Sequence, residues 1–155
     1  MFARCYGLEE IVIPDTVTVI EQNAFWQCTG LKKVTLSNSL TNIQSSAFDG
    51  CTALESVVIP DTVTFIDGHA FAYCRSLQSI ILSKNLVTLG GRAFYDCDGL
   101  TAIEIPKSLD ETKTTYYNEG GRGYRYGVFK ACDKLKTVTF EAGTTEVSVG
   151  MFARC

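Results

Sequence analysis

Seven cysteines stand in one register, at Cys5, Cys28, Cys51, Cys74, Cys97, Cys132 and Cys155. Successive gaps are 23 residues, except for one of 35 that exceeds the period by 12. A fixed period of this length marks a solenoid, in which each repeat is one structural unit stacked on the next. No other feature of the chain constrains its shape as strongly.

The period carries more than cysteine. Counted from each Cys, an apolar residue recurs at +6 (Ile11, Val34, Val57, Ile80, Ile103, Val138) and another at +8 (Ile13, Leu36, Ile59, Leu82, Ile105, Phe140). The alternation with more variable neighbours predicts a strand. Further apolar columns follow at +12, starting with Val17, and at +15, with Ile20, Ile43, Ile66, Leu89 and Val147. An Ala-Phe pair precedes four of the cysteines, beginning with Ala24 and Phe25. The spacing of Ala24, Phe25, Cys28 and Leu31 predicts one or two turns of helix. One unit cannot bury its apolar face alone, but stacked units share a continuous core. The strands would then form a parallel sheet with rungs about 4.8 Å apart.

A second-order period overlies the first. Val-Ile-Pro-Asp-Thr-Val occurs at 12–17 and at 58–63, and Glu-Ile-Pro-Lys-Ser-Leu at 104–109. Leu36-Ser37-Asn38-Ser39-Leu40 and Leu82-Ser83-Lys84-Asn85-Leu86 stand between them. Proline cannot donate to a ladder, so the prolines belong where strands end.

The string IPDTVTVIEQNAFWQCTGLKKVTL resembles the BspA-type leucine-rich repeat, in which Ile-Pro, Ala-Phe, Cys and Leu recur at fixed offsets. The likeness covers nearly the whole chain. It lapses at the insert after Leu109 and in the last coil, where Thr144 and Met151 replace an aliphatic residue and an alanine. The resemblance implies a leucine-rich-repeat solenoid of about six 23-residue coils. A parallel β-sheet would line one face and short helical turns the other. It also implies a secreted or cell-surface protein that adheres to host extracellular matrix or to other cells.

Composition narrows the classes. The 155 residues suffice for one domain. With 14 basic and 17 acidic residues the net charge is −3, too balanced for a nucleic-acid or anionic-membrane partner. No apolar run reaches the roughly 18 residues of a membrane-spanning helix, and MFARCYGLEE lacks the layout of a signal peptide. Phe2 to Cys5 recur as Phe152 to Cys155, so both ends fall in mid-repeat. Solenoids need atypical capping units, and none is visible. The chain therefore reads as a single array, 1–155, cut from a longer one, with open ends that favour head-to-tail self-association.

The cysteines admit three roles. Metal binding lacks a Cys-x-x-Cys or Cys/His cluster within a coil. Disulfides between rungs meet parallel Cβ vectors about 4.8 Å apart, against a usual 3.8 Å or so. A buried ladder of free thiols acting as small hydrophobes suits the register best.

Catalytic chemistry has no foothold. His69, the single histidine, matches Asn23, Ser46 and Arg92 in other coils. It has no nucleophile and orienting group at recognisable spacing, so no catalytic residue, cofactor or metal site is expected. Asp15 and Asp61 follow prolines and read as turn residues. Two surfaces are candidates for binding. Val58 and Ile81 share the outward +7 column, where β-branched residues suit a strand and an apolar strip suits a partner protein. The insert, 110–127, gathers Tyr116, Tyr117, Arg122, Tyr124, Arg125 and Tyr126 among glycines. Insertions of this kind form binding loops, hairpins or plain loops. The chain thus reads as a non-catalytic protein-interaction module, or alternatively as a structural spacer without a ligand.

Overall fold

The computed structural model describes residues 2–110, 127–145, 147, 151–152 and 155. They form a parallel β-solenoid. Its first face is built from β1 (Glu10–Val12), β3 (Lys33–Thr35), β5 (Ser56–Val58) and β7 (Ser79–Ile81), with β9 (Ala102–Ile105) and β10 (Thr137–Phe140) following. A second face holds β2 (Val19–Ile20), β4 (Asn42–Ile43), β6 (Phe65–Ile66) and β8 (Thr88–Leu89). Each face stacks in sequence order: β1-β3-β5-β7, then the pair β9-β10, and β2-β4-β6-β8. The pairing keeps the period, as in Glu10 with Lys33 and Ser56 with Ser79. Between β9 and β10 the register skips the long gap, with Ala102 opposite Thr137.

The predicted apolar columns build the interior. Val34, Val57, Ile80 and Ile103 point inward, and Leu36, Ile59, Leu82 and Ile105 lie behind them. Val147 departs from its column. It is 57% exposed, whereas Ile20, Ile43, Ile66 and Leu89 are buried. The buried four each have a paired rung beside them, and among the described residues no paired strand borders Val147.

The predicted helical turns are resolved into something different. No helix occurs among the described residues; the third face is a run of tight turns. Left-handed backbone recurs twice per coil, five residues and one residue before cysteine: Asn23 and Gln27, Ser46 and Gly50, His69 and Tyr73, Arg92 and Asp96. A left-handed residue every fourth position cannot continue a right-handed helix. Alternate amides instead bond within the coil and across it. Ala24 and Cys28 N–H donate three residues back, to Glu21 and Phe25, while Phe25 N–H reaches Ala47 O of the next coil at 2.8 Å. The same cross-coil bond recurs from Phe48, Phe71, Phe94 and Phe129.

Those bonds fix the phenylalanines above one another. Seven rings, from Phe2 through Phe25, Phe48, Phe71, Phe94 and Phe129 to Phe152, stack with centroids 5.1–5.4 Å apart and planes within 8° of parallel. The separation is that of offset stacking, the favoured parallel arrangement of aromatic rings.

The alternation of proline and serine forms has a physical cause. Pro14, Pro60 and Pro106 stand just past β1, β5 and β9, where no ladder donor is needed. The aspartate after the first two accepts from the serine-form coil above: Asn38 N–H to Asp15 Oδ1 at 2.7 Å and Lys84 N–H to Asp61 Oδ1 at 2.9 Å. In the serine form, buried Ser37 donates to Val17 O at 2.6 Å, satisfying a carbonyl of the coil below. In this pair of coils each form thus supplies a partner to the other.

Candidate functional site

Three surfaces bear chemistry, and the repeat decides what each presents. On the first face, strand alternation turns +5 and +7 outward. Val58 and Ile81 are register partners on β5 and β7, 59% and 62% exposed, and Val12 is 72% exposed on β1. Thr35 separates Val12 from Val58. Ile81 borders a depression of about 330 Å³ whose charged rim includes Lys84, Glu104 and Glu141. The Lys107 backbone N–H donates to Glu141 at 3.1 Å and holds its carboxyl below the usual range. Beside the strip, Lys32 and Glu9 pair across the β1–β3 edge at 3.0 Å.

The second surface is the insert. Tyr116, Tyr117, Arg122, Tyr124, Arg125 and Tyr126 lie outside the described residues. Its roots are described. Asp110 N–H donates to Val87 O at 2.9 Å, one step in a ladder that begins with Thr41 N–H and Thr18 O. The chain re-enters register at Val128, whose carbonyl accepts from Phe94. The insert therefore leaves the described chain after Asp110 and returns to it at 127. It departs from the edge of the second face, not from the Val58–Ile81 strip.

The third surface escapes the sequence reading. The turns carry Trp26 and Asp49 two residues before cysteine, and Gln27, Gly50 and Tyr73 one residue before it. Together with Thr29, Thr52 and Arg75 they line a groove of about 400 Å³. Rings on this face meet cations and one another: Arg4 lies 4.6 Å over Trp26, and Tyr73 meets Tyr95 edge-on at 5.2 Å. The signal was available, since the same register that aligns the cysteines aligns these columns.

Burial pushes the Asp49 carboxyl up from 3.8 to about 6, against a smaller opposing effect of its hydrogen bond with Ser46. A raised folded-state pKa means that the folded chain binds the proton more tightly than the unfolded one. Stability from this group is therefore fully present below about pH 4 and is lost as pH rises to about 6. About two units correspond to roughly 3 kcal/mol, which partial solvent contact reduces to about 1–2 kcal/mol. Asp49→Asn is thus expected to stabilise the protein by about 1–2 kcal/mol at pH 7.5, with no gain at pH 4. Urea midpoints at the two pH values check this; destabilisation at pH 7.5 contradicts it.

The cysteines line the interior behind the turns. Cys28, Cys51, Cys74, Cys97 and Cys132 are buried, Cys5 and Cys155 are exposed, and all seven are free thiols. Each thiol beyond Cys5 donates to a phenylalanine carbonyl of the preceding coil, as Cys51 Sγ does to Phe25 O at 3.2 Å and Cys74 Sγ to Phe48 O at 3.3 Å. The carbonyls of Phe2, Phe25, Phe48, Phe71 and Phe129 also accept the backbone N–H of the cysteine three residues on. The thiol supplies a second donor to them. Among the described residues, no cluster of three or more His, Cys, Asp or Glu is placed to hold a metal ion. No described helix is long and apolar enough to cross a membrane.

A family model for the BspA type leucine-rich repeat region matches residues 1–121 and 122–155, in 6 copies. No curated protein matches the chain. Among solved structures, the T. pallidum leucine-rich repeat protein superposes with a TM-score of 0.77 at 28% identity over 90% of this chain. A leucine-rich repeat protein from Bacteroides ovatus gives 0.57 at 27% over 90%, and one from Eubacterium ventriosum 0.52 at 25% over 88%. The matched regions make up 61%, 39% and 37% of those three chains.

Proposed function

This chain belongs to the BspA type leucine-rich repeat family, and from that membership we propose that it is a non-catalytic adhesion module of a surface or secreted protein, binding host extracellular-matrix proteins or other cells. Leucine-rich repeats form a class of protein-interaction modules that are generally non-catalytic. The observation that carries the reading is the apolar pair Val58 and Ile81, exposed side by side on a rigid strand ladder. Such a strip costs solubility if it contacts nothing, and the charged rim beside Ile81 gives it an orientation. The tyrosines and arginines of the insert extend the reading to a second contact region by their residue types. An apolar hollow of about 350 Å³ at the first coil, lined by Phe2, Ile11, Val17 and Phe25, supports head-to-tail association of copies.

The test is binding to a panel of immobilised matrix proteins. Saturable binding is expected for at least one, and Val58→Lys with Ile81→Lys should weaken it at least tenfold without lowering thermal stability. Alanine at Tyr116, Tyr117, Arg122 and Arg125 should weaken it further if the insert contributes. No saturable binding across the panel overturns the adhesion reading. It leaves the chain a spacer that holds other parts of a protein at a distance, a role to which the interruption of the strip at Thr35 lends some support.

A further inference from the structure

The turn face carries a slot, and one missing side chain makes it. Along the column one residue before cysteine, Gln27 precedes and Tyr73 follows Gly50, whose left-handed backbone (φ 76°) bears no side chain. Trp26 walls the gap on one rung and Tyr73 on the rung two steps on, with Asp49 and Gly50 between them. Aromatic faces of this kind attract a cation held within roughly 6 Å of the ring.

The face already shows this chemistry with its own cations. Arg4 lies over Trp26 at 4.6 Å, Arg75 over Tyr73 at 5.8 Å and Arg92 over Tyr95 at 5.5 Å. The two cations at the slot, of which Arg75 also lines it, already have polar partners of their own. Arg4 comes from the rung before Trp26 and donates to Gln27 Oε1 at 3.2 Å. Arg75 donates twice to Asp96, on the rung after Tyr73, at 2.7 and 3.0 Å. Its charge is thereby matched outside the slot, and the carboxylate of Asp49 sets the charge within.

We propose that the slot formed by Trp26, Asp49, Gly50 and Tyr73 receives a basic side chain, a lysine ammonium or arginine guanidinium, from a partner protein. An anionic group would face the Asp49 carboxylate. An apolar group would desolvate that carboxylate and return no partner. A basic group returns an ion pair and two aromatic faces at once. The slot is formed by the turns and the apolar strip by the strands, so the two readings fail separately.

Trp26 is the single tryptophan of the chain, and its fluorescence reports the slot directly. The probes are acetyl-Gly-Lys-Gly-amide, its arginine counterpart, and the lysine peptide acetylated on its side chain. A saturable change is expected with at least one basic peptide, and the acetylated peptide should bind at least tenfold more weakly. Asp49→Asn should weaken the basic peptide at least tenfold. Gly50→Gln should abolish binding by crowding the slot; a Cβ at Gly50 meets Gln27 Cγ at 3.2 Å, so that side chain must shift to admit it. Urea unfolding of both variants confirms that they fold. The proposal is overturned if no saturable change occurs, if the acetylated peptide binds equally well, if either folded variant keeps wild-type affinity, or if maltotriose binds more tightly than the basic peptides.

Discussion

Replacing Phe71 by alanine is expected to destabilise the protein by about 3–5 kcal/mol, the usual range for truncating a fully buried aromatic ring. Phe71 lies between Phe48 at 5.1 Å and Phe94 at 5.4 Å and is fully buried. Truncation removes both ring contacts and leaves a cavity inside a column that cannot close around it. The cross-coil bonds from Phe48 N–H to Ala70 O and from Phe71 N–H to Ala93 O hold the rung spacing on either side. In a linear array stability is close to a sum of repeat and nearest-neighbour terms, so losing two interfaces in the middle also uncouples the halves. Phe2→Ala is the control. Phe2 is 48% exposed and stacks on one neighbour, Phe25, so its loss should cost under about 1 kcal/mol. Urea denaturation of the two variants decides the matter. Equal costs would mean that the stack is a consequence of the coil geometry and contributes little to holding it.

The contrast between these two phenylalanines shows what a periodic sequence reveals and what it hides. The columns at +6 and +8 name the inward residues because strand alternation has only two phases, and one apolar column settles which phase faces in. The outward placement of Val58 and Ile81 follows from the same parity. Position along the axis is another matter. The period treats Val147 and Ile66 alike, yet one is exposed and the other buried, since burial depends on the neighbouring rung rather than on the residue.

The third face was misread for a chemical reason. Its left-handed positions hold Asn23, Gln27, Ser46, Gly50, His69, Tyr73, Arg92 and Asp96. Gly50, Asn23, Asp96 and His69 are of types enriched at positive φ, but Gln27, Ser46, Tyr73 and Arg92 are not. Here the stacked ladder imposes the conformation, so side-chain identity carries little trace of it. The apolar spacing of Ala24, Phe25, Cys28 and Leu31 meanwhile coincides with helical spacing. The slot between Trp26 and Tyr73 was hidden for a related reason: it depends on an absent side chain at Gly50, and an absence stands out only against its column.

Thiol labelling is the second large effect. At pH 8 Cys5 should react first, Cys155 more slowly, and the five buried thiols at least about a thousandfold more slowly than Cys5. Two causes act together. Thiolate is the reactive form, and burial pushes Cys51 up to about 12 and Cys155 up to about 11, whereas the hydrogen bond with Cys97 lowers Cys132, whose protection therefore rests on access alone. At pH 8 that leaves Cys51 ionised in about one molecule in ten thousand. Reagent access adds a second barrier, because a thiol inside the column is reached only when coils open, and central coils open with free energies approaching that of global unfolding, about 5 kcal/mol or more. Cys28, near the end of the stack, should therefore label before Cys74, whose neighbours on both sides must part. Mass spectrometry of partially labelled protein gives the order directly. Comparable rates at Cys5 and Cys74 would mean that the thiols do not donate inward to Phe25, Phe48 and their counterparts. The row of sulfurs would then be an accident of the period, not the reason a small residue with one weak donor occupies that position in every coil.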